Sequence, residues 1–248
     1  VQIEDSKGKQ PQKDLLGALL KTGKPVIMVL FAGRPLTIKW ESENVPVILN
    51  VWFGGSEAGY AIADVLFGDV NPSGKLTSTF PQNIGQVPIY YAHKNTGRPL
   101  PQGKWFEKFR SNYLDVSNDP LYPFGYGLSY TQFTYSDIKL SSSKMAKNGS
   151  IIASVTVTNT GMIEGKEVVQ LYLRDMVGSI TRPVKELKGF QKINLKPGET
   201  KELNFNITEE ELKFYNSDLQ YVSEPGDFKV FIGSNSRDVK ENSFELTD

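Results

Sequence analysis

Two continuous apolar runs restrict this chain more than any other feature: PVIMVLFAG at 25–33 and VPVILNVWF at 45–53. Both are rich in β-branched residues, and neither alternates with polar ones. Such runs fit strands buried on both faces, as in a parallel sheet. A parallel sheet must be covered on each side, and two or three strands with two helices make a poor core on their own. The expectation is that the chain lacks an N-terminal portion supplying further strands. The alternative is that later parts of the chain cover the open faces, and the two can hold together.

The flanking sequence supports an α/β reading. Residues 14–22 have helical spacing and stop at Gly23, with Pro25 just beyond. After the second run, Ser56 stands where a helix N-cap belongs. Ala58, Ala61, Ile62, Val65 and Leu66 then recur on one helical face up to Gly68. Asn71-Pro72-Ser73-Gly74 is turn chemistry, and KLTSTF at 75–80 reads as a short strand.

From 81 to about 130 the periodicity fades while aromatics persist, among them Tyr90, Tyr91, Trp105, Phe106, Phe109, Tyr113, Tyr122, Phe124, Tyr126 and Tyr130. Disordered segments are poor in aromatics, so this one is expected to be ordered and packed. Beyond it the pattern turns to half-buried strands. Ile151, Ala153, Val155 and Val157 alternate with polar neighbours. So do Val169, Leu171 and Leu173, then Leu203, Phe205 and Ile207, then Phe228, Val230 and Ile232. Gly and Pro turns separate these runs, which predicts an antiparallel β-sandwich of immunoglobulin or fibronectin type III kind. TEEELKFY at 208–215 breaks the alternation and reads as a single helical turn. The fold class is therefore α/β plus all-β, with domains at 1–131 and 132–248 and the aromatic-rich linker segment at about 81–131.

Composition narrows the function classes. Lys+Arg and Asp+Glu both total 28, so no charge excess points to nucleic acid or an anionic membrane surface. No apolar run is long enough to cross a bilayer. There is no cysteine, and His93 is the only histidine, so thiolate chemistry and zinc sites built on several histidines are excluded. No cofactor is called for.

Local motifs weigh less. Trp52-Phe53-Gly54-Gly55-Ser56-Glu57 follows the second run at its carboxyl end, where ligand crevices of open α/β sheets lie. It reads first as a tight turn with Ser56 as cap and Trp52 in the core, and second as a pocket wall. The same string is a near miss to a serine-nucleophile elbow, but only His93 could serve as base. Gly125-Tyr126-Gly127 lacks the βαβ setting of a dinucleotide loop. In YPFGYGLSYT at 122–131 the glycines let the backbone turn, Pro123 restricts it and the rings fill a groove, so the string reads as a joint. Arg34 is expected to pair with an acid at the sheet end. Trp105, Phe106 and Phe109, with Lys104, Lys108 and Arg110, form either a contact patch or a local cluster. Asn148-Gly149-Ser150 and Asn206-Ile207-Thr208 fit the glycosylation sequon, which matters only in a eukaryotic secretory route.

The strings TGKPVIMVLFAGRPL, WFGGSEAGYAIADVLFGDVNPSGKL, TFP, PLYPFGYGLSYTQF, LKGFQKINLKPGET and EPGDFKVFIG together resemble glycoside hydrolase family 3, close to the periplasmic β-glucosidases. The resemblance implies the second half of an α/β sandwich domain followed by a fibronectin III-like domain, with a separate N-terminal barrel absent. It implies a retaining mechanism with two carboxylates. The nucleophile Asp would lie on the barrel. The acid/base Glu would lie in a Gly-Glu loop before the helix that matches Gln12-Lys13-Asp14-Leu15-Leu16. Glu4 is the only nearby acid of that type; it lacks the preceding glycine and stands too close to the helix. No catalytic residue is therefore assigned in this chain, which alone is expected to be inactive; the alternative reading is a non-catalytic scaffold or a carbohydrate- or partner-binding module. The resemblance also implies an oligosaccharide or aryl β-glucoside substrate for the complete enzyme and export to the periplasm, and it allows a homodimer. No nucleic acid, membrane, metal or cofactor partner is implied.

Overall fold

A computed structural model describes residues 10–101 and 104–248. Glu4 lies outside the described residues. The chain divides into two compact units, one of residues up to 70 with 78–89 and 100–122, the other of 71–77, 90–99 and 123–248.

In the first unit, helix α1 spans Pro11–Leu20. It begins earlier than its apolar spacing suggests, because proline fits the first helical position with its φ already fixed. Strand β1 (Ile27–Leu30), helix α2 (Lys39–Asn44) and strand β2 (Val47–Asn50) form a crossover. β1 and β2 run parallel, pairing Ile27 with Val47 through Leu30 with Asn50. Leu30, Ile38 and Val45 are buried, whereas Ile27, Phe31 and Val47 are about half or more exposed. The apolar runs thus form the parallel pair expected of them, with part of their apolar surface uncovered. Helix α3 (Ala58–Phe67) ends at Gly68 in the left-handed conformation, φ 87°, a region that glycine enters without a Cβ penalty.

The stretch 75–80 is not a strand. Its backbone bonds are isolated: Leu76 to Tyr126 and Gly125 in the second unit, Phe80 to Tyr122 and Leu121 in the first. Pro123 sits in the middle of the partner segment and has no N–H to continue a ladder. Segments 78–89 and 100–122 are irregular but knit together. The fully buried Gln86 side chain donates to the Ser117 and Asp119 carbonyls and accepts from the Gln82 amide.

The second unit is the β-sandwich. Its strands are β3 (Phe133–Tyr135), β4 (Lys139–Leu140), β5 (Lys144–Ala146), β6 (Ser150–Asn159), β7 (Gly165–Asp175) and β8 (Glu186–Leu195). They continue with β9 (Thr200–Thr208), β10 (Phe214–Tyr215), β11 (Tyr221–Val222), β12 (Gly226–Gly233) and β13 (Val239–Thr247). One sheet has the order β5-β13-β12-β7-β8; in the other, β3 and β4 flank β6, with β9 on its far side. Ile151, Ala153, Val155 and Val157 of β6 meet Val169, Leu171, Leu173, Leu203, Phe205, Phe228, Val230 and Ile232 in one core. The alternation read from sequence therefore gives the buried face directly. β7 departs from it: Gln170 and Tyr172 on its other face are buried as well.

What covers that other face is the glycine–aromatic string. Gln170 donates to the carbonyls of Gly125 (3.2 Å) and Ser234 (2.6 Å) and accepts from the Tyr172 hydroxyl (2.5 Å). Tyr91 stacks on Phe124 at 4.4 Å and meets the Tyr172 edge at 5.8 Å. Burial pushes the Tyr172 hydroxyl's pKa up, so it stays a donor. Gly125 has φ 80°, and a Cβ there would come within 2.1 Å of the Gln170 amide oxygen. A second polar clamp binds the 71–77 segment. Lys75 bonds both oxygens of the buried Glu167, whose carboxylate also accepts from Tyr135 at 2.8 Å. Burial, then the Glu167 charge, raises the Tyr135 pKa and keeps its hydroxyl donating.

The helical turn expected at TEEEL is a 3-10 turn, Glu209–Leu212, closed by a capping box between Thr208 and Glu211. Burial raises the Glu211 pKa, but hydrogen bonds from the Thr208 hydroxyl and backbone outweigh it, and the net direction is downward.

Two outcomes follow. Gly125→Ala should lower the sandwich unit's stability by about 2–4 kcal/mol, from strained φ plus overlap with Gln170, measured by urea denaturation. Because the folded Glu211 pKa is depressed, its carboxylate stabilises above the unfolded value, 4.5, and that contribution fades as pH falls through the folded value. Glu211→Gln should therefore lose about 1 kcal/mol at pH 7, with a smaller difference from wild type near pH 3.

Candidate ligand crevice at the strand ends

In open α/β sheets ligands bind outside the carboxyl ends of the strands. Here those ends are Leu30 and Asn50, tied by the Val51 amide donating to the Leu30 carbonyl at 2.9 Å. The loops that leave them, 31–38 and 51–57, form the candidate crevice.

Trp52 opens the second loop with φ 49°, a left-handed backbone that a bulky residue seldom adopts. The strain lets the chain reverse at once, so the Trp52 ring turns back onto Phe80 (5.8 Å). Phe80 is buried and meets the edge of Tyr122 at 6.1 Å; the Tyr122 hydroxyl shares a 2.7 Å hydrogen bond with Ser42. Phe53 points the other way and is 86% exposed. Its ring lies over Gly33, where a Cβ would approach to 2.9 Å, so the two loops touch through a glycine and an aromatic ring.

Two polar groups here lack partners. The Asn50 side-chain amide and the Thr37 hydroxyl are buried, and neither is hydrogen-bonded among the described residues. A buried unpaired amide is uncommon in folded proteins. Only one acid lies in the two loops, Glu57, and it is exposed. The two loops therefore offer aromatic walls and unpaired polar groups but a single, exposed carboxylate.

Several sequence expectations are corrected. Ser56 does not cap α3. Gly54 and Gly55 (φ 69°) use up the turn, the N-cap position falls on Glu57, and no side chain caps it. Trp52 is half-buried rather than central to a core. Arg34 is exposed and forms no ion pair among the described residues. His93 is exposed and belongs to the second unit, whereas Ser56 belongs to the first, so no serine–histidine pair forms within either. Trp105, Phe106 and Phe109 are exposed, with Lys108 over the Phe109 ring at 4.8 Å. Asn50 and Thr37 were not read from the sequence. The available signal was a lone polar residue closing the apolar run VPVILN.

No helix among the described residues is long and apolar enough to cross a membrane. Nor does any group of three His, Cys, Asp or Glu among them suit a metal ion.

The sequence profile of the glycosyl hydrolase family 3 C-terminal domain matches residues 3–130, and that of a fibronectin type III-like domain matches 167–236. The chain belongs to glycosyl hydrolase family 3. It is 56% identical over 237 residues to the periplasmic β-glucosidase of Salmonella typhimurium, covering 96% of this chain and 31% of that protein. A β-xylosidase of Formosa agariphila is 49% identical, covering 95% and 32%. The solved β-glucosidase of Listeria innocua in complex with glucose superposes with TM-score 0.91 at 45% identity, over 96% of this chain and 33% of that one. The chain thus spans about a third of the length of the relatives it matches, and it corresponds to their C-terminal portion.

Asn50→Leu removes a desolvated amide at nearly constant volume. This chain should gain about 1 kcal/mol of stability, read as a higher urea midpoint at unchanged slope.

Proposed function

We propose that this chain is the C-terminal portion of a retaining β-glucosidase-like hydrolase, which in its complete form releases terminal β-linked glucosyl residues from oligosaccharides or aryl β-glucosides. One observation carries the reading: near-complete, co-linear coverage by β-glucosidases whose remaining length this chain does not contain. The strand-end loops agree with it, since they offer walls, a strained turn and unpaired polar groups but one exposed carboxylate.

In this reading the N-terminal barrel brings the nucleophile Asp, and the acid/base Glu lies outside the residues described. The chain alone is then inactive, and no catalytic residue is assigned within it. In this reading the domains divide along the chain at 131/132, although 71–77, 90–99 and 123–131 group with the sandwich unit. Asn50 and Thr37 gain their partners from the rest of the enzyme or its substrate. Export to the periplasm is supported by the likeness to the periplasmic β-glucosidase of Salmonella, and a homodimer is compatible with the exposed aromatic patch at 105–109.

The test is direct. The purified 248-residue chain should give no turnover of an aryl β-glucoside above the buffer rate, while the same chain extended by its upstream barrel hydrolyses it with retention of anomeric configuration. Turnover by the short chain would refute the assignment of both carboxylates elsewhere. Inactivity of the extended protein on β-glucosides and β-xylosides alike would refute the hydrolase itself.

A further inference from the structure

The second unit carries an aromatic platform beside a polar depression. Strands β10 and β11 form an antiparallel hairpin in which Tyr215 stands opposite Tyr221. Their rings lie 5.0 Å apart at 42°, with Tyr215 63% and Tyr221 45% exposed. The hairpin is anchored through Phe214 of β10, which is buried like Leu212 just before it and lies under the Arg182 guanidinium at 4.1 Å. At the turn, Asn216 accepts from the Asp218 and Gln220 amides, each at 3.0 Å. Solvent exposure of two rings on so well-anchored a hairpin is not needed by the core.

Next to the rings lies a depression of about 450 Å³ lined by Asn148, Ser150, Asn206, Glu209, Glu210 and Lys213 among others. Lys213 joins the two features: its ammonium bonds Glu210 at 2.9 Å and sits 6.0 Å from the centre of the Tyr221 ring. Glu209 is fixed by the Ser223 hydroxyl (2.8 Å) and the Asn148 amide (3.0 Å), which hold its pKa low. The side-chain amides of Asn148 and Asn206 make no hydrogen bond among the described residues. They present donors and acceptors to whatever occupies the depression.

We infer that the Tyr215–Tyr221 platform and this depression bind a neutral β-linked gluco-oligosaccharide, at a site of the sandwich separate from the strand-end crevice. A β-glucosyl ring carries C–H groups on both flat faces and hydroxyls around its edge. Aromatic faces accept the first, and free amides with fixed carboxylates accept the second. The cation Lys213 is already paired with Glu210, so little field is left to select an anion. The gluco-configuration rests on the proposed function; the neutral, amphipathic ring is read from the surface.

The experiment is affinity electrophoresis of the full 248-residue chain in native gels cast with or without a soluble β-glucan. The chain should be retarded by the glucan. The double variant Tyr215→Ala/Tyr221→Ala should bind roughly tenfold more weakly, two exposed ring contacts being removed. Tyr215→Phe/Tyr221→Phe keeps both faces and should be retarded like wild type, and an unchanged near-ultraviolet dichroism band from the buried aromatics would show each variant folded. Absence of retardation in the wild type, or equal retardation of the alanine variant, would overturn the site. In the barrel-extended enzyme the alanine variant should cleave a small aryl β-glucoside at the wild-type rate; a loss of that activity would overturn the separateness of the site. If the extended wild type cleaves no glycoside yet the chain is still retarded, the hydrolase reading fails and this one stands.

Discussion

A parallel pair of strands cannot protect itself. Each of its two faces is apolar, and each must be covered by something that the strands do not supply. In this protein β1 and β2 bury Leu30 but leave Ile27 and Val47 substantially open. The strand-end loops inherit that incompleteness. They hold a strained Trp52, an exposed Phe53 and a buried amide at Asn50 with no partner. Strain and unpaired polar groups concentrate where a protein meets its ligands or partners. The same constraint makes the first unit both the seat of the candidate crevice and the part most in need of outside contacts.

The second unit obeys the opposite logic. Its two sheets shield each other across one continuous core, and short polar clamps close the outer face of β7 and one end of its core face. Gln170 receives the Gly125 backbone, and the Glu167 carboxylate holds Lys75 and Tyr135. A buried pair of this kind contributes little net stability compared with apolar residues, yet breaking one side alone is expensive. Its use is to fix position. Segments distant in the chain, 71–77 and 123–131, are held to the sandwich by these contacts, so the aromatic string is ordered without belonging to a strand.

Much of this was legible in advance because the periodicities are strong. Alternation over Ile151–Val157 and Phe228–Ile232 named core residues correctly, and the unbroken apolar runs named the parallel pair. TEEELKFY announced its turn by breaking the strand alternation, while the capping box between Thr208 and Glu211 that closes it came only with the structure. Ser56 misled because capping is decided by where the backbone first becomes helical. Gly54 and Gly55 delayed that point by a residue. KLTSTF misled because Pro123 lies far off in sequence and interrupts the ladder only after the chain has folded.

By itself, then, the sequence determined the two classes of secondary structure, the kinship and the absence of thiol or multi-histidine metal chemistry. These depend on residue type and on spacing within one element. The tertiary structure alone decided that Asn50 and Thr37 lack partners, that Gly125 sits against Gln170, and that two tyrosines six residues apart face solvent beside a polar depression. Such facts are relations between segments, and a hydrogen bond or a steric clash exists only once the backbone has brought both sides within a few ångströms.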